Sequence, residues 1–243
     1  MRRTLIPLML VCALSAGCSY HVWSPPAQTA PIAGVGSLEQ SEVRANVQVN
    51  GHAPLAAFDD RPGAVGGGLG LAFGLGEGLD LRLGGQALHL PGGGVSSLDR
   101  NLWSGRAALR YAPEEWIALS VGAGAGASAA GAFVSPDFGV TVGDGGEWVG
   151  FFFDVRVGVS VPIDPRTLDL TQPDDEEQHL ATPITTAIVQ LTPGMRFTLV
   201  SPDREEVGLV MRVTPTITML ADAEAYSFWP GGALGLELAF GAS

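Results

Sequence analysis

Lysine is absent from this 243-residue chain: all 13 basic residues are arginine, set against 25 Asp and Glu for a formal charge of −12. So acidic a chain does not suit a nucleic-acid binder, whose affinity rests on neutralising phosphates. Aromatics are scarce at 7% while glycines number 34, a balance that favours many strands and tight turns over helices. Beyond the N-terminus no stretch approaches the roughly 18 consecutive apolar residues of a membrane helix. If the chain spans a membrane, it does so with strands. The most specific deficit is local: charge is missing from one side of the strand-like segments.

Residues 149–163 are the clearest case. Val149, Phe151, Phe153, Val155, Val157, Val159, Val161 and Ile163 make one face, and Gly150, Phe152, Asp154, Arg156, Gly158 and Ser160 make the other. Successive side chains of a strand point to opposite sides, so such a segment has one face kept free of charge.

The N-terminus reads as a targeting segment. Arg2 and Arg3 precede the apolar residues 5–14, and Leu14-Ser15-Ala16-Gly17-Cys18 resembles the lipobox of bacterial lipoproteins. That resemblance implies cleavage after Gly17 and acylation of Cys18. It covers about twenty residues and departs from the usual pattern at Ser15, where leucine is commonest. Cys12 would be removed and Cys18 acylated, so no disulfide is expected. Ser19, in place of the aspartate that follows the cysteine in many inner-membrane lipoproteins, implies the outer membrane. The expected organisation is a signal peptide over 1–17, a lipid-anchored flexible tether over 18–42 and a β-domain over 43–243. Removal of 1–17 leaves 11 arginines against 25 acids, a balance of −14. The tether assignment rests on Pro, Ala and Ser without a period, including Pro25, Pro26 and Pro31.

Period-two alternation marks ten strands, at 43–50, 65–75, 79–90, 102–111, 116–127, 137–142, 148–163, 184–200, 207–220 and 233–240. The third switches phase at Gly84-Gly85, from Leu79, Leu81 and Leu83 to Leu88 and Leu90, as a bulge would. Pro193 and Pro215 are expected to end or bend their strands. Short turns at 76–78, 112–115, 143–147 and 201–206 alternate with longer connections after strands one, three, five, seven and nine. An all-β, closed up-and-down antiparallel barrel of about ten strands is expected, eight being the alternative count. It resembles small outer-membrane barrels, with short periplasmic turns, long external loops and both termini periplasmic. Trp103 and Tyr111 bracket the apolar face of the fourth strand, where girdle aromatics would sit.

With the apolar face toward lipid, the lumen receives Arg44, Arg82, Arg106, Arg110, Arg156, Arg196 and Arg212, with the acids Asp80, Asp154 and Glu237. The other 22 acids fall to the loops and turns. Two lumens fit this set. One is an anion-binding or anion-conducting interior with forked arginine donors. The other is a packed, salt-bridged interior in which arginines fill the space left by glycine columns on strands two and five.

The four histidines do not make a metal pair. His21 falls in the tether, His52 and His179 in loops, and His89 on the lumen side after the phase switch. His52 with Asp59 and Asp60, or His179 beside Asp174, Asp175, Glu176 and Glu177, are the loop sets from which a hydrolytic site would be drawn. The acidic run lacks the alternating oxygen ligands of a calcium loop. Glycines at alternate positions of 66–78, broken only by Ala72, and of 122–126 precede no helical period, so they are not a nucleotide fingerprint. No cofactor is expected; the expected partners are membrane lipid and small anions. The leading expectation is a non-enzymatic, lipid-anchored outer-membrane barrel serving the envelope structurally or passing small solutes. Its alternatives are a soluble periplasmic β-domain holding a hydrophobic ligand in an apolar interior, and an outer-membrane hydrolase with its site in the loops.

Overall fold

A computed structural model describes residues 22–28, 38–52, 64–89, 101–144, 146–169, 171, 177–200 and 207–240. The strands are β1 (Val43–His52), β2 (Ala64–Gly76), β3 (Leu79–His89), β4 (Asn101–Glu114), β5 (Ile117–Ser128), β6 (Gly131–Gly143), β7 (Val149–Pro165), β8 (Leu168–Asp169), β9 (Leu180–Ala181), β10 (Thr186–Val200), β11 (Val207–Ala221) and β12 (Tyr226–Phe240). Ten of them form one closed antiparallel barrel in chain order, sealed where β1 pairs with β12. The small β8–β9 hairpin stands apart from it in the long connection between β7 and β10. Closure leaves no sheet edge, the condition for backbone in lipid.

The two faces of the wall are sorted as the alternation requires. Val49, Leu69, Trp103, Val121, Phe151 and Leu234 are each more than half exposed on the outside. Asp80, Asp154, Ser160, Thr186, Gln190 and Thr192 are at most 1% exposed on the inside. The interior is mainly polar, with a few buried apolar side chains such as Phe133 and Phe152, and the outward faces are largely apolar, the reverse of the arrangement expected for a soluble barrel with an apolar interior. Tyr111, Trp116 and Trp148 stand exposed near one rim, and Trp103 and Tyr226 near the other. The aromatic girdle is thus fuller than Trp103 and Tyr111 alone suggested.

Several local expectations are corrected. The β2–β3 and β3–β4 ladders run through Gly84 and Gly85 in unbroken register. There is no bulge, so Leu88 faces inward and is 4% exposed, while His89 faces out and meets Asn101 at 3.1 Å. Leu88 packs with Leu102, Phe133 and Ala27, an apolar patch inside the barrel that the rule of apolar side out cannot anticipate. Neither proline ends its strand. The β10–β11 ladder lapses over residues 192–194, beside Pro193 and Pro215, while β10 stays paired to β7 across that stretch. A proline removes one ladder donor, and neighbours on the other side hold the strand in place.

The ends of the barrel also differ from the expected alternation. β6 begins at Gly131 and β12 at Tyr226, so β5–β6 is a two-residue turn and β11–β12 spans only residues 222–225. The long connections are the three at 53–63, 90–100 and 166–185, all at one end. At the other end the β2–β3 hairpin turns on Glu77 and Gly78, with φ of 51° and 78°, the left-handed pair that matches strand twist. The contrast between a long-loop end and a short-turn end therefore stands on three loops.

Candidate lumen site

Inward positions on six strands bring the arginines together. Toward the short-turn end, Asp80 on β3 takes Arg82 Nε and Arg110 Nη1, both at 2.8 Å. Beside it, Glu237 on β12 accepts Arg212 Nη2 at 2.7 Å and lies 3.5 Å from Arg44 Nη1. Arg44 Nε also meets Glu42 at 2.5 Å, and Glu42 is 3% exposed. At mid-lumen Asp137 on β6 receives Arg106 in a two-pronged contact, Nε at 2.6 Å and Nη2 at 2.5 Å. Arg156 Nε approaches the same carboxylate at 3.6 Å, and Thr141 donates to Asp154 at 2.6 Å. Arg196 donates to the carbonyl of Gly146 at 3.0 Å, at the short-turn rim.

All ten residues assigned to the lumen stand on the inward positions, and two further acids join them. Glu42 falls within the expected tether and Asp137 among the expected loop and turn acids, so seven arginines face five acids instead of three. Asp137 shares its phase with Gly139 and Thr141, opposite Phe138 and Val140, and that alternation is its signal in the sequence. Glu42 lies one residue before β1 and has no such signal.

The glycine columns make room for this packing. An added Cβ on Gly122 would stand 2.5 Å from Arg106 Nη2, and one on Gly126 would stand 2.5 Å from Phe133. A cavity of about 20 Å³, lined by Arg82, Arg106, Arg110, Asp154 and Arg156 among others, and one of about 10 Å³ beside Gln190 remain between the side chains. Each holds about one water molecule.

The largest departure from expectation concerns the tether. Residues 22–28 are not a solvated linker but lie within the lumen. Trp23 bridges to Ile184 at the long-loop end, and Ser24, 1% exposed, bonds Ser160 at 2.7 Å and Thr186 at 3.2 Å. Ser160 donates to the Pro25 carbonyl and Ser104 to that of Ala27, at 2.8 and 2.7 Å. At mid-lumen Gln190 donates to the Gln28 carbonyl at 3.0 Å, and Arg156 reaches its side chain at 3.4 Å. A Cβ on Gly124 would fall 2.2 Å from that of Ala27. The chain is next described at the short-turn end. There Ser41 donates to the Gly74 carbonyl at 3.1 Å, and Gly74 donates to that of Glu42 at 2.8 Å.

The histidines are dispersed. His52 is the last residue of β1, buried at 6% and pointing inward, not a loop residue. Asp59, Asp60, Asp174, Asp175 and Glu176 lie outside the described residues, as do His21 and the Leu14 to Cys18 segment. Among the described residues, no cluster of three or more His, Cys, Asp or Glu side chains is placed to hold a metal.

No protein-family model matches the chain, and no curated protein does. Among solved structures it is similar to the N-terminal β-barrel domain of Pseudomonas aeruginosa OprF, with 9% identity and a TM-score of 0.33 over 84% of this chain and 100% of that one. It is similar to Neisserial surface protein A at 11% identity and a TM-score of 0.38, over 82% and 95% of the two chains. It is also similar to Ail, the attachment invasion locus protein of Yersinia pestis, at 7% identity and a TM-score of 0.34, over 83% and 99%.

Proposed function

We propose that this chain is a lipid-anchored outer-membrane β-barrel with a structural, non-enzymatic role in the cell envelope, its lumen closed to solutes. The observation that carries this reading is the combination of a lipid-compatible wall with a filled interior. The exposed faces of the strands are apolar and rimmed by aromatics, which suits hydrocarbon flanked by interfaces. Inside, Arg44, Arg82, Arg106, Arg110 and Arg212 already hold carboxylates, and the cavity lined by Arg82, Arg106, Arg110 and Arg156 is of water size. The anchor is supported by Leu14-Ser15-Ala16-Gly17-Cys18, and the external placement of the long loops by their grouping at one end.

Anion passage, the second use of an arginine lumen, needs guanidinium groups free to exchange partners with a permeant ion. The two-pronged Arg106–Asp137 contact and the buried Asp80 and Glu237 pairs argue against it. Planar-bilayer recording of the purified protein decides between them. A quiet membrane is expected. Stepwise anion-selective current that Arg106→Ala or Arg156→Ala diminishes would overturn the closed-lumen reading.

A further inference from the structure

We propose that the chain crosses the membrane through its own barrel, so that the residues preceding Trp23 emerge at the long-loop mouth, on the opposite side from β1's start and β12's end. The direction of travel is set by contacts. Trp23 bridges Ile184, two residues before β10 begins at the long-loop end; Gln28 meets Arg156 and Gln190 at mid-lumen; Ser41 and Glu42 bond Gly74 at the short-turn end. These contacts descend the lumen in sequence order. They also take the form of a built site. Ser104, Ser160 and Gln190 each spend a side-chain donor on a carbonyl of this segment. Gly124 lacks the Cβ that would collide with Ala27.

The consequence for the anchor rests on the lipid-anchored barrel proposed above; the path of the chain does not. Cys18 lies four residues before Val22, and four peptide steps reach at most about 14 Å. The apolar band of an outer-membrane barrel is about 25 Å tall. An acyl group on Cys18 therefore reaches the leaflet beside the long loops and cannot reach the one beside the short turns. With the long loops external, this is an anchor in the outer leaflet, in place of the periplasmic N-terminus expected from strand parity.

The test uses variants of the full chain that each add one cysteine, compared with the unmodified chain in intact cells, probed with a membrane-impermeant maleimide. Val22→Cys reports the segment, Glu224→Cys in the β11–β12 connection reports the long-loop end, and Glu77→Cys reports the short-turn end. Val22→Cys is expected to label with Glu224→Cys on intact cells, while Glu77→Cys labels only after lysis. Val22→Cys labelling with Glu77→Cys instead would overturn the threaded path. If Glu77→Cys is the one labelled on intact cells, the assigned orientation fails, and the path is still judged by which partner Val22→Cys follows. Labelling of the unmodified chain at Cys18 on intact cells would remove the anchor but support the path. As a second measure, Ser24→Cys with Ser160→Cys, whose hydroxyls stand 2.7 Å apart, should crosslink in the purified oxidised protein. Absence of that crosslink would also overturn the proposal.

Discussion

Arg106 on β4 reaches across β5 to bind Asp137 on β6 through two nitrogens, at 2.6 and 2.5 Å. It does so above Gly122, the β5 residue that pairs with both Ala108 and Asp137 and has no side chain to obstruct it. One ion pair thus ties three strands from the inside.

Neutralising that acid leaves the buried Arg106 guanidinium without its counterion and Arg156 with only Asp154, at 3.8 Å. Arg106 and Arg156 side chains are 7% and 8% exposed, so little solvent is available to compensate. Asp137→Asn is expected to cost about 3–5 kcal/mol, the usual penalty for breaking a buried pair from one side. Asp164→Asn provides the contrast: its pair with Arg166 is 65% to 67% exposed, and a change within about 1 kcal/mol is expected. Urea unfolding of the two variants in lipid vesicles measures both.

The outer face should respond in the opposite sense to an added charge. Leu234 lies midway along β12 and is 55% exposed. If lipid covers it, Leu234→Arg destabilises the barrel by about 2–4 kcal/mol. If water covers it, the same substitution falls within about 0.5 kcal/mol, as at an ordinary surface site. Vesicle-based unfolding read against wild type separates the two.

Leu88 tests the corrected phase of β3. Inward and packed with Leu102, Phe133 and Ala27, it should behave as a core residue, with Leu88→Ala costing about 2–5 kcal/mol. The neighbouring Leu83 faces out at 39% exposure, and Leu83→Ala should cost distinctly less. Equal losses at the two positions would mean that the ladder does shift at Gly84-Gly85.

How far the sequence carries the fold follows from where its information lies. Alternation in β7 reports which face meets which medium, so strand count, closure and the inward arginines are legible from residues such as Phe151, Phe153, Asp154 and Arg156. Leu88 breaks the rule because a small apolar patch sits inside an otherwise polar lumen, and the alternation cannot distinguish the two apolar environments. Residues 132–136 and 226–232 lie outside the alternation that marks 137–142 and 233–240, yet both segments are paired strand. The lumen segment was the least legible. Trp23–Gln28 binds through its backbone carbonyls to Ser104, Ser160 and Gln190, and carbonyls carry no sequence signature. Proline and alanine without a period describe a solvated tether and a lumen-bound strap equally well.

Hydrocarbon contact along the outside of this barrel, as proposed, is tested most directly by a spin label at one outward position. Val121 on β5, 60% exposed and distant from both rims, is the site to use as Val121→Cys carrying a nitroxide in reconstituted vesicles. Collisions with dissolved oxygen should be frequent and collisions with a water-soluble nickel chelate rare. Frequent nickel collisions at that position would place water where this account places lipid, and would contradict it.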